Sequence, residues 1–348
     1  WVLFVNVPIG IAIALLAPLY INESERHPGR FDLTGACTAT AGMVSLVYGF
    51  IRASDHGWTD AVTVTAFGLA IVLLAAFLAN ERRVPQPITP PHLFRDRNRS
   101  GAYGLILCVA ATMFGIFFFL TLFAQDILGY SPLRAGFAFL PISVAIIAAA
   151  QFAARTQLRF GAKPFLMAGS LLVVAGVAWA TRISVHSSYA DGILGPTLLF
   201  GLGMGSIFVP ATLTVVSRVA PHETGAATGM LNTSQQVGGS LGLSILVTVY
   251  GTASRHETAR QVPAFLRQAT PQELARFRAD GTLPAPYSSE VLAHGIATAF
   301  QLGLVFAALA VVIAVFVIRV HRLPASAPVS PAGHVNPAGP ISPSGDGA

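Results

Sequence analysis

The sequence predicts an all-α, polytopic integral membrane protein with nine transmembrane helices. Three observations lead to this fold class: the chain is 53% hydrophobic, only 10% charged, and contains nine long apolar stretches. A soluble domain carries about 25% charged residues, whereas stretches of about 20 apolar residues match a hydrocarbon core of about 30 Å. Because lipid offers no hydrogen-bond partners, each stretch is expected to be a helix.

Short polar connections separate the predicted spans. Asp32 and Thr34 are the expected caps of the second span, and Pro164 suits the first turn of the sixth. Pro141 and Pro210 lie inside predicted helices, where each removes a backbone hydrogen bond and is expected to cause a kink. The nine spans are residues 1–21, 33–51, 61–79, 101–124, 135–154, 164–181, 192–216, 226–250 and 291–318.

Two segments are not expected to cross the membrane. Residues 251–290 are too polar, and within them Thr270, Pro271 and Glu273 form a capping-box pattern that predicts a short helix over 271–279. The tail, residues 323–348, is rich in Pro, Ser, Gly and Ala, so it is expected to be disordered.

The distribution of basic residues predicts the orientation. If the first span ends in the cytoplasm, 13 of the 21 Lys and Arg residues lie on the inside, and only Arg52, Arg134 and Arg182 lie in short outside segments. The other five lie in residues 251–290, a long extracytoplasmic segment in which the charge rule is weak. The asymmetry therefore predicts a cytoplasmic C-terminus.

Composition and motifs also exclude several function classes. The isoelectric point of about 9.8 is high, but the basic residues lie between apolar runs and form no stripe for nucleic acid. No helix carries a pair of carboxylates, and no HExxH motif or Ser/His/Asp set is present. We therefore expect neither an enzyme, nor a metal site, nor a cofactor, and the lipid bilayer is the predicted environment.

Glycines at helical spacing predict close packing between helices, because small residues let two backbones approach. One group lies in the seventh span, within an apolar helix that lacks the context of a nucleotide-binding loop. The other group forms two small-xxx-small pairs in the eighth span. These glycines are Gly201, Gly203 and Gly205, and the pairs Gly225/Gly229 and Gly238/Gly242.

Uncharged polar residues form a stripe on the eighth span. Thr228, Asn232, Gln235 or Gln236, and Gly239 recur at three- and four-residue spacing, which places them on one helical face. Such a stripe either lines an aqueous cavity or forms hydrogen bonds between helices. Both interpretations stay open from the sequence.

An aromatic stripe occupies the fourth span. Phe114, Phe118, Thr121 and Gln125 share a face that ends at Asp126. Phenylalanines of this kind either bind lipophilic or cationic ligands or face lipid. Asp126 lies at a predicted helix end, where it either contacts headgroups and water or has a functional role.

Six segments, in order, resemble the fourteen-helix major facilitator drug:proton antiporters of the EmrB/QacA type. The resemblance covers residues 1–320, and its specificity comes from the order and helix spacing of the segments together. The first begins Trp1-Val2-Leu3-Phe4-Val5 and the last contains Leu231-Asn232-Thr233. The six segments are residues 1–10, 30–36, 56–58, 93–95, 128–136 and 231–239.

The resemblance implies a domain organisation. Residues 1–21 correspond to the last helix of an N-terminal bundle, 33–79 to an inserted helix pair, and 101–318 to a C-terminal six-helix bundle. Because the chain opens inside an apolar run at Trp1, it is expected to be the C-terminal portion of a longer protein. Without the missing N-terminal bundle as its partner, such a portion is not expected to be active.

One loop departs from the family pattern. Residues 154–163 resemble the second copy of the family's Gly-x-x-x-Asp-Arg-x-Gly-Arg loop, but Ala154 replaces the leading Gly and Leu158 replaces the Asp. A charge latch to neighbouring helix ends is therefore not expected, and the loop is assigned a topological role. The basic turn is kept in Arg155, Arg159, Gly161 and Lys163.

The resemblance implies proton-coupled efflux of small lipophilic or cationic substrates across a bacterial plasma (inner) membrane. Asp126 is the remaining candidate for proton coupling, because the family's acidic residues lie mainly in the N-terminal bundle. The alternatives are transport of a sugar, siderophore or metabolite by the same fold, and a non-transporting sensor, scaffold or lipid-modifying enzyme. The predicted cavity residues are Phe114, Phe118, Gln125, Asn232, Gln235 and Gln236.

Overall fold

A computed structural model of the chain describes residue 4 and residues 6–20, 32–84, 91–217, 219–220, 223–280 and 283–319. Across these ranges the secondary structure is helical and no strand is found, which confirms the predicted fold class. The predicted disordered tail, residues 323–348, lies outside the described residues.

Eleven α-helices follow one another along the described chain: α1 (Asn6–Tyr20), α2 (Leu33–His56), α3 (Ala61–Glu81), α4 (Arg97–Leu122), α5 (Pro132–Ala138), α6 (Leu140–Phe160), α7 (Ala162–Ala180), α8 (Gly195–Val216), α9 (Thr224–Gln268), α10 (Pro271–Asp280) and α11 (Tyr287–Val312). Wider π-helical turns continue α4 and α11 and precede α8, and a short 3-10 turn precedes α4. These turns are Phe123–Ile127, Ile313–Val317, Ala190–Leu194 and Pro91–Arg95.

Eight helical segments of the described chain are long and apolar enough to cross a membrane. They correspond to the second to ninth predicted spans, with α5 and α6 together forming the fifth. The first predicted span, residues 1–21, contains α1, an apolar helix of 15 described residues, shorter than the roughly 20 that a span requires. The chain is therefore a multi-pass membrane protein.

The length of α9 differs most from the predicted spans. The sequence placed the end of this helix at residue 250, but α9 continues to Gln268 and contains 45 residues. At 1.5 Å per residue it is about 68 Å long, more than twice the thickness of the hydrocarbon core. Polarity marks where a helix leaves the lipid, but it does not end the helix.

The predicted short helix after α9 is confirmed as α10. The Thr270 amide donates to Oε2 of Glu273 at 2.9 Å, and the Glu273 amide donates to Oγ1 of Thr270 at 3.4 Å. This reciprocal pair is the predicted capping box. Asp32 likewise confirms its predicted role, because its carboxylate accepts the Gly35 amide at 2.8 Å at the start of α2.

The two prolines that the sequence placed inside helices, Pro141 and Pro210, occupy different positions. Pro210 lies inside α8, as predicted. Pro141 instead follows a break at Phe139 and occupies the first turn of α6. Amides of the first turn have no partner within the helix, so the N–H that proline lacks costs no helical hydrogen bond there. The helix therefore ends and restarts ahead of Pro141, and the predicted position inside a continuous helix is wrong.

The helices run alternately in opposite directions, so the described bundle has two ends. We call the end that carries Arg97, Arg99 and Lys163 the basic end, and the end that carries Asp60 and Asp126 the distal end. α4, α9 and α11 pack together, α8 packs between α6 and α7, and the α2–α3 hairpin contacts α9 through α2. The buried core lies mainly along α4, α8 and α11.

Glycines allow the closest of these contacts, as predicted. On α8, a Cβ added to Gly201 would lie 2.9 Å from the carbonyl oxygen of Ile142 on α6. A Cβ added to Gly203 would lie 2.6 Å from the carbonyl oxygen of Gly169 on α7. Real Cβ atoms do not approach backbone atoms this closely. The absence of a side chain at these two glycines is therefore what lets α8 pack so closely against α6 and α7.

The two glycine pairs on α9 do not share one role. Cβ atoms added to Gly238 and Gly242 would clash with α4 at Leu107 and Ala111, whereas those added to Gly225 and Gly229 would meet no described atom within 4 Å. Close packing is therefore confirmed for the first pair and is not found for the second.

The two pairs provide a matched test of the contact between α4 and α9. We expect Gly238→Ala to lower the free energy of unfolding by about 1–3 kcal/mol, because the added methyl overpacks the seam. Gly229→Ala should leave stability unchanged or raise it by up to about 1 kcal/mol, because alanine favours a helix. Denaturant unfolding in detergent measures both, and equal stability of the two variants would contradict the close approach.

A salt bridge closes the distal end of the α2–α3 hairpin. Nε of Arg52 donates to Oδ2 of Asp60 at 3.1 Å, and the same carboxylate caps α3 by accepting the Thr63 amide at 3.2 Å. The hydrogen bond from Arg52 is the main cause of a pKa of Asp60 below its usual value of 3.8. The hairpin is joined to α9 where the Thr248 hydroxyl donates to the Phe50 carbonyl at 3.1 Å.

This salt bridge predicts a pH dependence. Because the pKa of Asp60 is lower in the folded protein, its contribution to stability is present above the unfolded value near 3.8 and is lost as the pH falls through the folded value. Asp60→Asn keeps an N-cap side chain but has no such transition. Melting temperatures between about pH 6 and pH 3 should therefore fall more in the parent than in Asp60→Asn, and parallel curves would contradict the assignment.

Candidate functional site

α4 and α9 run side by side in the same direction, from the basic end to the distal end. Gly238 packs against Leu107 near the middle of the pair, and Gly115 lies against Leu246 two turns further on. This register determines which predicted site residues of the two helices lie at the same depth. It places the amide stripe of α9 nearer the basic end and the phenylalanines of α4 nearer the distal end.

The two stripes meet where Phe114 contacts Gly239. A Cβ added to Gly239 would lie 2.7 Å from the ring of Phe114, so the ring lies directly over this glycine. Phe114 is half-buried, whereas Phe118, one turn further along α4, is 39% exposed and contacts Phe119 edge to face at 5.1 Å. The sequence alone did not predict that a glycine of the polar stripe would be the point of contact.

The three amide side chains of α9 follow the exposed edge of the same surface. Asn232 and Gln236 are exposed and Gln235 is half-buried. None of the three side chains forms a hydrogen bond to another residue in the part of the chain that the structure describes. Because an unpaired amide in hydrocarbon costs several kcal/mol, this face requires water, a solute or another protein surface against it.

Gln125 and Asp126 lie beyond the end of α4. Both belong to the π-helical turn Phe123–Ile127, which follows α4 and is wound more widely than an α-helix. Gln125 is half-buried and Asp126 is exposed, at the distal end. The predicted stripe of α4 therefore runs into a turn of different winding, with Asp126 at its distal end.

Asp126 lines a cleft at the distal end with a volume of about 270 Å³. Its other walls come from α9, through Tyr250, and from the first turns of α11, through Ser288, Ser289, Val291 and Leu292. Sequence reasoning missed these partners because they lie more than a hundred residues from Asp126. The predicted topology contained one indication, since it places the ends of the fourth and eighth spans and the start of the ninth at one membrane face.

At the basic end, Gly161 connects α6 and α7. Its φ of +82° is a conformation that glycine adopts without strain, and its amide donates to the Gln157 carbonyl at 2.7 Å. Arg155 and Arg159 are exposed. Lys163 instead reaches the π-helical turn that continues α11, where its Nζ donates to the Val315 carbonyl at 2.9 Å.

Arg97 and Arg99, like Lys163, donate to backbone carbonyls near helix ends, and their role was not predicted from the sequence. Arg99 is 5% exposed, and its guanidinium donates to the Val215 and Ser217 carbonyls at 3.0 and 3.3 Å at the end of α8, and to the Leu93 carbonyl at 3.3 Å. The guanidinium of Arg97 donates to the Phe316 carbonyl, just beyond α11, at 2.6 Å. Cations at helix C-termini satisfy the last carbonyls and offset the helix dipole.

The family assignment comes from comparison with known sequences. The Major Facilitator Superfamily profile matches residues 1–243. The chain belongs to this superfamily. Its members are membrane transporters, which confirms that the chain is not an enzyme. It also confirms the resemblance at the level of the superfamily.

Several major facilitator relatives are drug-resistance or export proteins by name. The chain is 37% identical to the puromycin resistance protein pur8 of Streptomyces alboniger over 254 residues, which cover 72% of the chain and 50% of the relative. It is 36% identical to the cephamycin export protein CmcT of Amycolatopsis lactamdurans over 258 residues, 73% of the chain and 53% of the relative. A tetracenomycin C resistance and export protein of Streptomyces glaucescens is 34% identical over 252 residues, 70% of the chain and 46% of the relative.

The chain spans about half the length of these curated relatives. A longer alignment is found with the multidrug transporter protein MdtP of Bacillus subtilis, which is 25% identical over 348 residues, 91% of the chain and 64% of the relative. The described bundle therefore represents part of the architecture that these major facilitator proteins share.

The buried guanidinium at the basic end of this major facilitator chain predicts a large stability effect. Arg99→Met removes the donor from three carbonyls, so we expect the free energy of unfolding to fall by about 2–4 kcal/mol. The matched control is Arg155→Ala, which removes an exposed arginine at the same end and should change stability by less than about 0.5 kcal/mol. Denaturant unfolding in detergent compares the two. Equal stabilities would show that the carbonyls of α8 do not depend on Arg99.

Proposed function

We propose that the protein exports lipophilic, often cationic, compounds in exchange for protons, by alternating access between two helical bundles. The chain described here would supply one bundle, α4 to α11, together with the α2–α3 hairpin and α1. The names of the relatives support drug export, and their length supports a second bundle. Transport by the chain on its own is not expected.

The observation that carries this proposal is the uncharged amide face of α9 beside the phenylalanines of α4, because these amides form no side-chain hydrogen bond to a described residue. Asn232, Gln235 and Gln236 offer donors and acceptors without a charge, and Phe114 and Phe118 offer apolar and π surface. Such a wall favours aromatic and lipophilic solutes with a few polar groups over sugars, which require many hydrogen-bonding side chains. Gln125 would contact a solute nearer the distal end.

We also propose a fourteen-helix arrangement of the antiporter type. In it α1 is the last helix of the first bundle, α2 and α3 are the inserted pair, and residues 101–318 form the second bundle. The basic end would face the cytoplasm of a bacterial cell across its plasma membrane, in keeping with the positive-inside rule. Asp126 is the candidate proton-coupling residue of this bundle, because it is an ionisable group at the end of a span.

Transport by the full-length protein in membrane vesicles tests the cavity assignment. We expect Asn232→Ala and Gln236→Ala each to lower the transport rate, or to change the substrate profile, by about three- to tenfold, which corresponds to one lost hydrogen bond of about 1 kcal/mol. Thr40→Val is the control, because Thr40 is exposed on α2 in the inserted hairpin. Unchanged rates and profiles in both amide variants would contradict the assignment.

The same vesicles separate the two parts of the proposal. A protonophore should abolish accumulation of the compound if export is coupled to protons. Transport that persists without a proton gradient would contradict coupling but would leave the cavity assignment intact. Drug susceptibility that is unchanged by expression of the full-length protein would contradict the export function itself.

A further inference from the structure

At the basic end, the end of α11 lies against the starts of α4 and α7. The π-helical turn that continues α11, Ile313–Val317, packs against both of these helices. The guanidinium of Arg97 on α4 donates to the Phe316 carbonyl at 2.6 Å, and the ammonium of Lys163 on α7 donates to the Val315 carbonyl at 2.9 Å. Two cationic side chains from different helices therefore meet on one turn.

The two cations lie close enough to share one anion. Because consecutive carbonyl oxygens of a helical turn are about 3–4 Å apart, the two hydrogen bonds place the Arg97 and Lys163 nitrogens at most about 9 Å from each other. A phosphate that accepts from both through two of its oxygens bridges nitrogens up to about 8 Å apart, because each charge-assisted hydrogen bond is about 2.8 Å long. The two side chains are thus held at a separation that suits one phosphate group.

Both side chains keep donors and charge for such a ligand. A guanidinium has five N–H donors and an ammonium has three, and each uses one of them on a neutral carbonyl of the turn. No carboxylate in the described ranges forms an ion pair with Arg97 or Lys163. Asp96, the neighbour of Arg97 in the chain, instead caps α4 by accepting the Arg99 amide at 2.9 Å. The two cations therefore lack an anionic partner among the described residues.

Helix dipoles and further cations favour a negative group in the same place. α4 and α7 both begin at the basic end, so the positive ends of their dipoles are directed there. The chain that leaves the turn is held against α4, where the Arg319 amide donates to Oδ1 of Asn98 at 2.7 Å. The side chains of Arg319 and Arg95 are exposed near this contact and add to the positive charge.

An exposed apolar surface leads away from the two cations along α11. Phe316, whose carbonyl accepts from Arg97, is 70% exposed. Val305, Leu309 and Val312 are also exposed, and their four- and three-residue spacing places them on one face of α11. A free phosphate gains nothing from such a surface, whereas an acyl chain attached to the phosphate would lie along it.

We propose that the basic end binds an anionic phospholipid, with its phosphate between Arg97 and Lys163 and an acyl chain along the exposed face of α11. Basic pockets between membrane helices bind anionic headgroups in this way. The bound lipid would join the starts of α4 and α7 to the end of α11. This site is separate from the proposed export cavity at Phe114 and Asn232, and its occupancy requires no transport.

Two lipids with identical acyl chains test the charge requirement. Phosphatidylglycerol has a net negative charge, whereas phosphatidylcholine carries the same phosphate but has no net charge. Native mass spectrometry of the full-length protein in a neutral detergent resolves individual bound lipids, so both lipids are titrated in parallel. We expect the first phosphatidylglycerol to bind at least fivefold more tightly than the first phosphatidylcholine. Equal affinities would overturn the proposal.

Paired variants assign the binding to the two cations. Arg97→Gln combined with Lys163→Gln should lower the phosphatidylglycerol affinity at least fivefold and leave the phosphatidylcholine affinity within twofold. The matched control, Arg155→Gln combined with Arg159→Gln, removes two exposed cations at the same end and should leave both affinities within twofold. Parent-like phosphatidylglycerol affinity in the first pair, or an equal loss in the control pair, would contradict the assignment.

A charge-preserving variant separates lipid binding from folding, since Arg97 and Lys163 also bond to carbonyls at the end of α11. Lys163→Arg keeps a cation and its donors, so phosphatidylglycerol affinity should stay within twofold of the parent. Lys163→Gln should lower that affinity at least threefold. Melting temperatures without lipid verify that each variant folds, and equal affinities of the two Lys163 variants would overturn the role of this charge.

A water-soluble headgroup distinguishes a lipid from a free phosphate compound. Glycerophosphoglycerol is the headgroup of phosphatidylglycerol without its acyl chains. We expect a hundredfold excess of it over the lipid to displace less than half of the bound phosphatidylglycerol, because it gains no contact with the exposed face of α11. Full displacement at concentrations similar to that of the lipid would overturn the lipid as the occupant.

Discussion

The last carbonyls of a helix find no amide within that helix, and in a membrane bundle they need a donor from elsewhere. At the basic end, Arg99 serves the end of α8, while Arg97 and Lys163 serve the end of α11. These bonds join the start of α4 and α7 to helices that are distant in sequence. The positions of α4 and α8, and with them the surface that faces α9, depend on this arrangement of cations and carbonyls.

Close backbone contact has the complementary role in the middle of the bundle. Gly238 and Gly242 hold α9 against α4, and Gly203 holds α8 against α7. Because helices in lipid gain little from burying apolar side chains, contact between backbones provides much of the specificity. The seam at Gly238 also determines where Phe114 meets Gly239. The proposed export cavity therefore derives its geometry from a packing requirement.

Sequence patterns predicted those features whose causes are local. Apolar runs located eight long spans, the Thr270 and Glu273 pair located α10, and glycine spacing located the seams of α8. The length of α9, the π-helical turn that contains Asp126 and the burial of Arg99 were not predicted. Each depends on contacts between helices, and no local pattern records that Arg99 reaches Val215 or that Tyr250 lies beside Ser288. The site residues on α4 and α9 were chosen by helical face, and the contact of Phe114 with Gly239 came from tertiary structure.

The length of α9 has a mechanical consequence. If the seam at Gly238, beside the amide face, is taken as a pivot, the helix extends about 45 Å from it to its end at Gln268. A tilt of about 10° at the pivot would displace the far end by roughly 8 Å. Small adjustments around a bound solute would thus be magnified at the distal surface, where α10 follows. Tyr250, nearer the pivot on the same rod, would move by a fraction of that distance.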